Sequence, residues 1–415
     1  MDVSMLPTHA RPAGAALVDD GLAAWTAAMH GLTDYWSSVV RRGAMPWTVA
    51  DDVFRWVSTT TSRERPTWTL PNEVVFDAGI ARLRDFSQGS TDRVVPTLVL
   101  PPQAGHDSCI VDYSAEQSQV REIRDAGLTR VFSLDWLGAT AQTKDARVED
   151  YIAVVDRAVE HLGGRVNLVG DCQGGWLATI WAALRPQQVN TLTIGGAPID
   201  FRVGDGAIAK WVDACTPGGS LAMYEQLVRS GGGVFKGEHM INGFILIGPQ
   251  NEIGRQVQLL ANIDDPAHVA RYREFEDWFK HTQDIPGAFY LWIVEHLFRD
   301  NELIRGELVV GGERVDLRRI DCPLYLLAGT KDHITPPEQV WALDGATSTP
   351  RADVHRSLCT AGHLGLFMGR EALRDHWRPM MASVAERSRA DGRAHARPRT
   401  AAQRRRPRRE VVKAA

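Results

Sequence analysis

The sequence predicts an α/β fold, in which a mostly parallel sheet carries helices on both faces. Short apolar runs typical of buried strands alternate with helix-like segments over residues 71–200, and the alternation returns over residues 301–386. A glycine-rich turn at residues 170–175 joins one of these strands to a helix. Residues 201–300 interrupt the alternation with aromatic, helix-like sequence. These observations predict one core in two parts, separated by an insertion.

The elements of this core are predicted from the spacing of apolar residues and from the turns that bound them. An opening hairpin is expected at residues 73–76 and 82–86. Further strands are expected at residues 95–100, 130–136, 166–171, 191–196, 323–329 and 353–359. Helices are expected at residues 118–126, 148–162 and 176–184. Because helices separate these strands, the strands should pair in parallel.

Three segments lie outside the core. Residues 201–300 are expected to form a helical lid that shapes a pocket and excludes water, or a helical insertion that only packs. Residues 1–70 are expected to form a helical extension. Residues 387–415 contain eleven Arg and Lys against two acidic residues, which predicts a basic, disordered tail. This tail either binds a polyanion or an anionic surface, or has no essential partner, and a nucleic acid is not expected to be that partner.

The N-terminal extension is predicted to contain an amphipathic helix at residues 20–41. Its apolar residues recur at spacings of three and four, so they share one face: Leu22, Trp25, Met29, Leu32, Trp36 and Val39. The face could contact the protein's own core, a partner helix or a hydrophobic particle. Contact with the core is the expectation.

Composition narrows the class of protein. The 415 residues are 44% hydrophobic, enough for a large folded core, and their net charge is −4. No apolar run reaches about 20 residues, so no membrane span is expected. Residues 1–16 show no secretory signal. The five cysteines are widely spaced and form no CxxC pair, which predicts free thiols, a cytoplasmic location, and no metal or cofactor.

The turn at residues 170–175 reads Gly-Asp-Cys-Gln-Gly-Gly, directly after an apolar strand. A nucleophile between glycines at a strand-to-helix turn is the signature of the α/β-hydrolase fold. Gly170 and Gly174 lack a Cβ, so strand and helix can approach closely around a strained residue. Cys172 is therefore predicted to be a nucleophile whose thiol favours exchange with thioesters. The alternative is a small cysteine buried in a tight turn.

Two further residues follow in the order expected for this fold, which is nucleophile, acid, histidine. Asp332 and His363 each come directly after a predicted strand. We predict that His363 accepts the thiol proton of Cys172 and that Asp332 orients the imidazole. The alternatives are a surface carboxylate and a structural histidine. His333 follows the acid directly and is expected to support the site without reacting.

An oxyanion hole is expected beside the nucleophile. The backbone N–H of Gln173 should supply one donor, because this residue follows the nucleophile. The second donor should come from the loop at residues 102–106, where Gln103 is the candidate. Gly105 and His106 are alternatively ordinary turn residues.

The elbow resembles that of polyhydroxyalkanoate synthases, especially those of class III. The resemblance covers about residues 70–385 and includes five further segments, at residues 134–136, 148–152, 301–317, 332–336 and 362–365. It implies a Cys-His-Asp acyltransferase that polymerises hydroxyacyl-CoA thioesters, usually as a dimer with a partner subunit. Three segments are instead similar to intracellular polyhydroxyalkanoate depolymerases, which also use a cysteine: residues 101–106, 195–200 and 362–370.

Three functions are therefore predicted. The first is polymerisation of 3-hydroxyacyl-CoA through an acyl-enzyme on Cys172, with release of CoA. The second is hydrolysis of a polyester, oligomer or thioester by the same three residues. The third is a granule-associated binding protein, which would use the apolar face of helix 20–41 and the basic tail at a polyester surface.

Overall fold

The computed structural model describes residues 13–391, and its centre is an eight-stranded sheet. The strands are β1 (Glu73–Asp77), β2 (Ala81–Asp85), β3 (Thr97–Leu100), β4 (Val131–Trp136), β5 (Val166–Asp171), β6 (Val189–Gly195), β7 (Leu324–Gly329) and β8 (Val354–Cys359). They lie in the order β1-β2-β4-β3-β5-β6-β7-β8. β2 is antiparallel to β1 and β4, and all later neighbours are parallel. This is the predicted α/β-hydrolase fold.

Helices surround the sheet and form the insertion and the N-terminal extension. They are α1 (Ala13–Arg41), α2 (Pro46–Thr61), α3 (Gln119–Asp125), α4 (Val148–His161), α5 (Gln173–Leu184), α6 (Ala207–Cys215), α7 (Ala222–Ser230), α8 (Gly237–Ile247), α9 (Pro249–Ala261), α10 (Pro266–Phe279), α11 (Gly287–Trp292), α12 (Glu302–Arg305), α13 (Pro337–Ala346), α14 (Gly365–Met368) and α15 (Arg378–Asp391). Two π-helical segments are Ile293–Arg299 and Ala372–Trp377.

The core lies on both faces of the sheet because successive strand residues point in opposite directions. On β5, Leu168 belongs to the apolar cluster that includes α4, α5 and α13. Its neighbour Val169 belongs to the cluster on the other face, with α3 and α15. All six residues of β5 are buried, which is typical of a central parallel strand. The elbow therefore stands on a rigid element.

The observed core elements agree with the predicted ones to within two residues, apart from one helix start. The prediction placed that start at Trp176, whereas α5 begins at Gln173. Cys172 is the N-cap, so the elbow passes directly into the helix. The glycines at 174 and 175 have low helix propensity, and this hid the first turn of the helix.

Residues 201–300, between β6 and β7, form helices α6 to α11 and the π-helical segment Ile293–Arg299. A two-residue ladder pairs Val234–Phe235, between α7 and α8, with Ile285–Pro286, just before α11. The sequence pattern missed this ladder because two residues leave no readable period. The assignment of the insertion as a lid stays a proposal.

The predicted contact between the apolar face of helix 20–41 and the core is wrong for most of that face. α1 packs against α9 through another side, where Gly31 lies against Val257 and where Tyr35 and Val39 are buried. Gly31 allows this close approach because it has no side chain. The remaining apolar residues of the predicted face are 41–64% exposed: Leu22, Trp25, Met29, Leu32 and Trp36.

Two predictions fall partly outside the described residues. Residues 1–12 lie outside the described residues, and they include most of the segment that shows no secretory signal. The basic tail from residue 392 also lies outside them. α15 includes Arg387, with which the predicted tail begins, and Arg387 forms an ion pair of 2.7 Å with Asp353. Over residues 13–391, no helix has the length and apolar character needed to cross a bilayer. All five cysteines are free thiols, as predicted.

Candidate active site

Cys172 lies in the turn between β5 and α5, in a backbone conformation that L-residues rarely adopt. Its φ is 50° and its ψ is −117°. Among the described residues, Gln88, Cys172 and Asn301 are the non-glycine positions with positive φ. Such strain costs about 1–3 kcal/mol and is typical of functional sites. The thiol is half-buried at the carboxyl end of the sheet.

The glycines of the elbow are required by close backbone contacts. A Cβ on Gly174 would lie 1.9 Å from the carbonyl oxygen of Leu100 on β3. A Cβ on Gly170 would lie 2.6 Å from the carbonyl oxygen of Gly174. Both distances are far below van der Waals contact. The two glycines therefore let α5 start directly against the sheet, as their place in the sequence predicts.

The loops after β7 and β8 bring an acid and an imidazole to the thiol. Nδ1 of His363 lies 2.7 Å from Oδ2 of Asp332. Cys172 lines one cavity together with His363, and its charge acts on the same imidazole. The structure thus brings together the three residues that the sequence selects, and their catalytic roles stay a prediction.

The charges around His363 favour its protonated form. Burial lowers the pKa of His363, but the charges of Asp332 and Cys172 and their hydrogen bonds more than offset this effect. The pKa of His363 is therefore well above its ordinary value of 6.5. An imidazolium at this position would stabilise a negative charge on the neighbouring sulfur. This arrangement can generate a thiolate, which is the nucleophilic form of cysteine.

Two cavities meet at Cys172. The first, of about 310 Å³, lies under the insertion and has a mostly apolar lining that includes five aromatic side chains: Trp176, Trp211, Tyr224, Phe235 and Tyr290. The second, of about 280 Å³, is lined by His363 and by the exposed His333. Ala104 and Phe244 line both cavities. A thiol at such a junction can meet an apolar group from one side and a second reactant from the other.

The two predicted oxyanion donors differ in their surroundings. Gln173 is the first residue of α5, so its backbone N–H has no partner within the helix. The side chain of Gln103 is buried and points elsewhere, with its Nε2 donating to the carbonyl of Leu137 at 3.4 Å. Ala104, the next residue, lines both cavities with Cys172. A backbone N–H of this loop stays the predicted second donor.

His106 is not an ordinary turn residue. Its ring stacks on Trp278 with 4.6 Å between ring centroids and on Phe279 at 5.2 Å. Burial lowers the pKa of His106 to about 3, so the imidazole is neutral at physiological pH. A neutral ring fixes the loop against α10 without adding a charge beside the thiol. The sequence offered no signal for this role, because the stacking partners lie over 170 residues away.

A group of three side chains outside this site could hold a metal ion. The ligand atoms of Cys359, Glu371 and His376 lie within 4.8 Å of one another. Nδ1 of His376 already pairs with the hydroxyl of Ser357 at 2.7 Å. No sequence pattern indicates this cluster. Its residues come from a strand and the segment around a π-helix, and only the fold brings these together.

Asp171 is a further polar residue beside the site whose position was not predicted. It is wholly buried beside Cys172, and its Oδ1 accepts a hydrogen bond from Nε2 of Gln119 at 3.2 Å. The available signal was a charged residue at the end of a strand with no other charge. Wholly buried carboxyls are rare, and a perturbed one in a cleft is a candidate for a functional role.

Comparison with known proteins adds relatives of known name. The chain is 27% identical over 326 residues to the poly(3-hydroxyalkanoate) polymerase subunit PhaC of Haloferax mediterranei, covering 77% of this chain and 64% of that one. It is 27% identical over 273 residues to the subunit of the same name from Allochromatium vinosum, covering 64% and 74%. The chain thus spans just under two thirds of the Haloferax relative.

A search of solved structures finds α/β-hydrolases. The monoacylglycerol lipase of Paleococcus ferrophilus matches with a TM-score of 0.46 and 18% sequence identity, covering 71% of this chain and 97% of that one. A family model described as "Protein of unknown function (DUF3141)" matches residues 73–385, which include the whole sheet and the three site residues. The chain belongs to the DUF3141 family.

Proposed function

We propose that this protein is a cysteine acyltransferase that takes 3-hydroxyacyl groups from CoA thioesters and builds a polyester. The observation that carries the proposal is the strained Cys172, which lines an apolar cavity and shares a second cavity with His363. The likeness to polymerase subunits of two organisms supports the same substrate class. A thiolate is the nucleophile best suited to exchange with a thioester.

The first half-reaction would form the acyl-enzyme. His363 takes the thiol proton, and the sulfur of Cys172 attacks the thioester carbonyl. The oxyanion that forms is stabilised by the N–H of Gln173 and by an N–H of the loop at residues 102–106. The C–S bond to CoA then breaks, and the CoA sulfur leaves with the proton from His363. The acyl group is now bound to Cys172.

The second half-reaction would transfer the acyl group to an alcohol. His363 removes the proton of a chain-end hydroxyl, whose oxygen attacks the carbonyl of the acyl-enzyme. The C–S bond to Cys172 breaks, and the sulfur recovers a proton from His363. The product is an ester longer by one unit. Asp332 supports both steps by orienting the imidazole and stabilising its positive charge.

The two cavities suggest that each reactant binds in a different one. The aromatic lining of the first cavity suits the hydrocarbon part of an acyl group, because burial of apolar surface stabilises binding. The second cavity reaches His363, which must meet the attacking hydroxyl. We assign the acyl group to the first cavity and the attacking group to the second.

Hydrolysis is the second candidate function. Water would replace the chain-end hydroxyl in the second half-reaction, with the same three residues in the same roles. The exposed His333 on the second cavity favours this candidate, since solvent can approach His363 from that side. The substrate would then be a polyester, an oligomer or a thioester.

One pair of assays separates the two functions. Purified protein is incubated with 3-hydroxybutyryl-CoA and, separately, with amorphous polyester granules, and the products of both are analysed. CoA release with insoluble polymer is expected. Soluble hydroxy acid released from granules, with no polymer made from the thioester, would instead establish hydrolysis.

Matched cysteine variants test the nucleophile in the same assays. Cys172→Ala should abolish turnover, because no other group replaces the acyl acceptor. Cys215→Ala is the control, since Cys215 is the other half-buried cysteine and lies in the insertion. Equal activity of the Cys172→Ala variant and the wild type would refute the mechanism.

A further inference from the structure

Asp171 carries a carboxyl group that the proposed mechanism does not use. It is the last residue of β5, and its side chain is wholly buried. Gln119 reaches it from α3, and Gly195 lies beside it on β6. A Cβ on Gly195 would lie 3.1 Å from Oδ1 of Asp171 and 2.9 Å from the ring of Trp377. Little space therefore remains around this carboxyl.

The hydrogen bonds around this carboxyl are incomplete for an anion. Nε2 of Gln119 donates to Oδ1 of Asp171, but Oδ2 is buried without a partner among the described residues. Oε1 of Gln119 is also buried without one. The indole N–H of Trp377 is used elsewhere, since it donates to the carbonyl of Leu366 at 2.8 Å. An ionised carboxylate has only acceptors, so it would leave Oδ2 of Asp171 and Oε1 of Gln119 unpaired.

We propose that Asp171 is a neutral carboxylic acid that forms a two-bond pair with Gln119 and keeps a second negative charge away from His363. Nε2–H of Gln119 is donated to Oδ1, and the acid proton on Oδ2 is donated to Oε1. A single proton between Oδ2 of Asp171 and Oε1 of Gln119 thus gives each of these oxygens a hydrogen-bond partner. Asp171 is a positioning residue in this scheme, because it acts through His363 and does not touch the substrate.

The electrostatics agree with this geometry. Burial raises the pKa of Asp171 to about 8, against opposing effects of the Gln119 hydrogen bond and of His363. Of the four residues placed around the carboxyl, which are Gln119, Gly195, Trp377 and His363, only His363 titrates. With a pKa of about 8, the acid is mostly neutral at pH 7.

Ionisation of Asp171 would change the behaviour of His363. A negative charge on Asp171 stabilises the imidazolium and raises the pKa of His363 further. An imidazolium cannot accept the proton of the attacking hydroxyl or water. The neutral pair therefore avoids a further rise in the pKa of His363, whose basic form the second half-reaction needs. This consequence rests on the proposed function, whereas the neutrality of Asp171 does not.

The test uses Asp171→Asn, because asparagine can form the same two bonds with Gln119 but cannot ionise. The matched control is Asp375→Asn, since Asp375 is an exposed carboxylate paired with Arg374, and this pairing lowers its pKa. The infrared spectrum of the wild type should show the carbonyl band of a buried carboxylic acid, which fades as the pH rises through about 8. Asp171→Asn should lack this band, and Asp375→Asn should keep it.

The turnover profile tests the effect on His363. The wild type should lose activity as the pH rises through about 8, and Asp171→Asn should not, with kcat/KM near neutral pH within about threefold of the wild type. Absence of the acid band in the wild type would overturn the proposal. A band combined with an unchanged alkaline decline in Asp171→Asn would overturn the effect on His363. If the protein turns over neither substrate, the proposed function fails while the infrared result still decides whether Asp171 is neutral.

Discussion

Nδ1 of His363 lies 2.7 Å from Oδ2 of Asp332, while Oδ1 of the same carboxylate accepts the backbone N–H groups of Ile334 at 3.0 Å and Thr335 at 2.9 Å. Asp332 is therefore held from both sides. The orientation of the imidazole depends on a carboxylate that cannot rotate without losing backbone hydrogen bonds. This geometry explains why one short loop after β7 can set the position of a histidine from another loop.

Asp332→Asn should reduce acyl transfer by about 10³- to 10⁴-fold, because the amide cannot stabilise the imidazolium or the required tautomer. The measurement is the rate of CoA release from 3-hydroxybutyryl-CoA. Asp316→Asn is the control, since Asp316 is a surface carboxylate paired with Arg318. A loss of less than tenfold in Asp332→Asn would argue against its role.

Gly174→Ala should destabilise the fold by more than about 2 kcal/mol, because its Cβ would lie 1.9 Å from the carbonyl oxygen of Leu100. Urea unfolding measures the difference. Gly254→Ala, in the middle of α9, is the control, since its Cβ would have no atom within 4 Å. That change should stabilise α9 by up to about 1 kcal/mol through helix propensity. Equal effects of the two substitutions would contradict the close contact.

Because of His106, the free energy of unfolding should decrease as the pH falls below about 6.5. Its pKa in the folded protein is about 3, below the 6.5 of an unfolded histidine, so the unfolded chain binds more protons between these values. The contribution to stability is complete above about pH 6.5 and falls by up to about 1.4 kcal/mol per unit as the pH decreases toward 3.

His106→Phe removes the titrating group and keeps an aromatic ring against Trp278 and Phe279. The variant should therefore show a flatter decline of unfolding free energy between about pH 6 and pH 4. Urea unfolding at several pH values measures this slope. His30→Gln, at an exposed position on α1, should leave the slope as in the wild type. The same slope in His106→Phe would show that His106 is not the cause.

The exposed face of α1 should attach the protein to a hydrophobic surface. Trp25 and Trp36 are 64% and 55% exposed on one side of the helix, and exposed apolar patches of this kind mark interaction sites. The double variant Trp25→Glu and Trp36→Glu should sediment with polyester granules several-fold less than the wild type. Its unfolding midpoint should change little, since neither ring is buried. Unchanged sedimentation would exclude this face as the contact.

Much of the core and the candidate site could be predicted because their signals are local. The apolar run before Gly170 marks a buried strand, and the glycines around Cys172 mark a turn that few other residues can form. The chain order of Cys172, Asp332 and His363 follows from the order of the strands in this fold. Each of these features depends on neighbouring residues in a short segment, so it can be predicted from the sequence of that segment.

Other features could not be predicted because they depend on packing between distant segments. The apolar stripe from Leu22 to Trp36 gives the same signal whether it faces the core or solvent, and only the docking of Gly31 on Val257 turns it outward. The stacking of His106 on α10 likewise has no local signature.

The sequence by itself predicted the glycine turn around Cys172, the strands before and after it, and Asp332 and His363 as the residues that approach the thiol. The tertiary structure decided the environment of each of these groups. In the folded protein Cys172 lies where two cavities meet, and Asp171 is buried beside Gln119. Oδ2 of Asp332 lies 2.7 Å from Nδ1 of His363. The reason is physical: local backbone conformation follows from neighbouring residues, whereas burial and charge follow from which distant segments exclude water together.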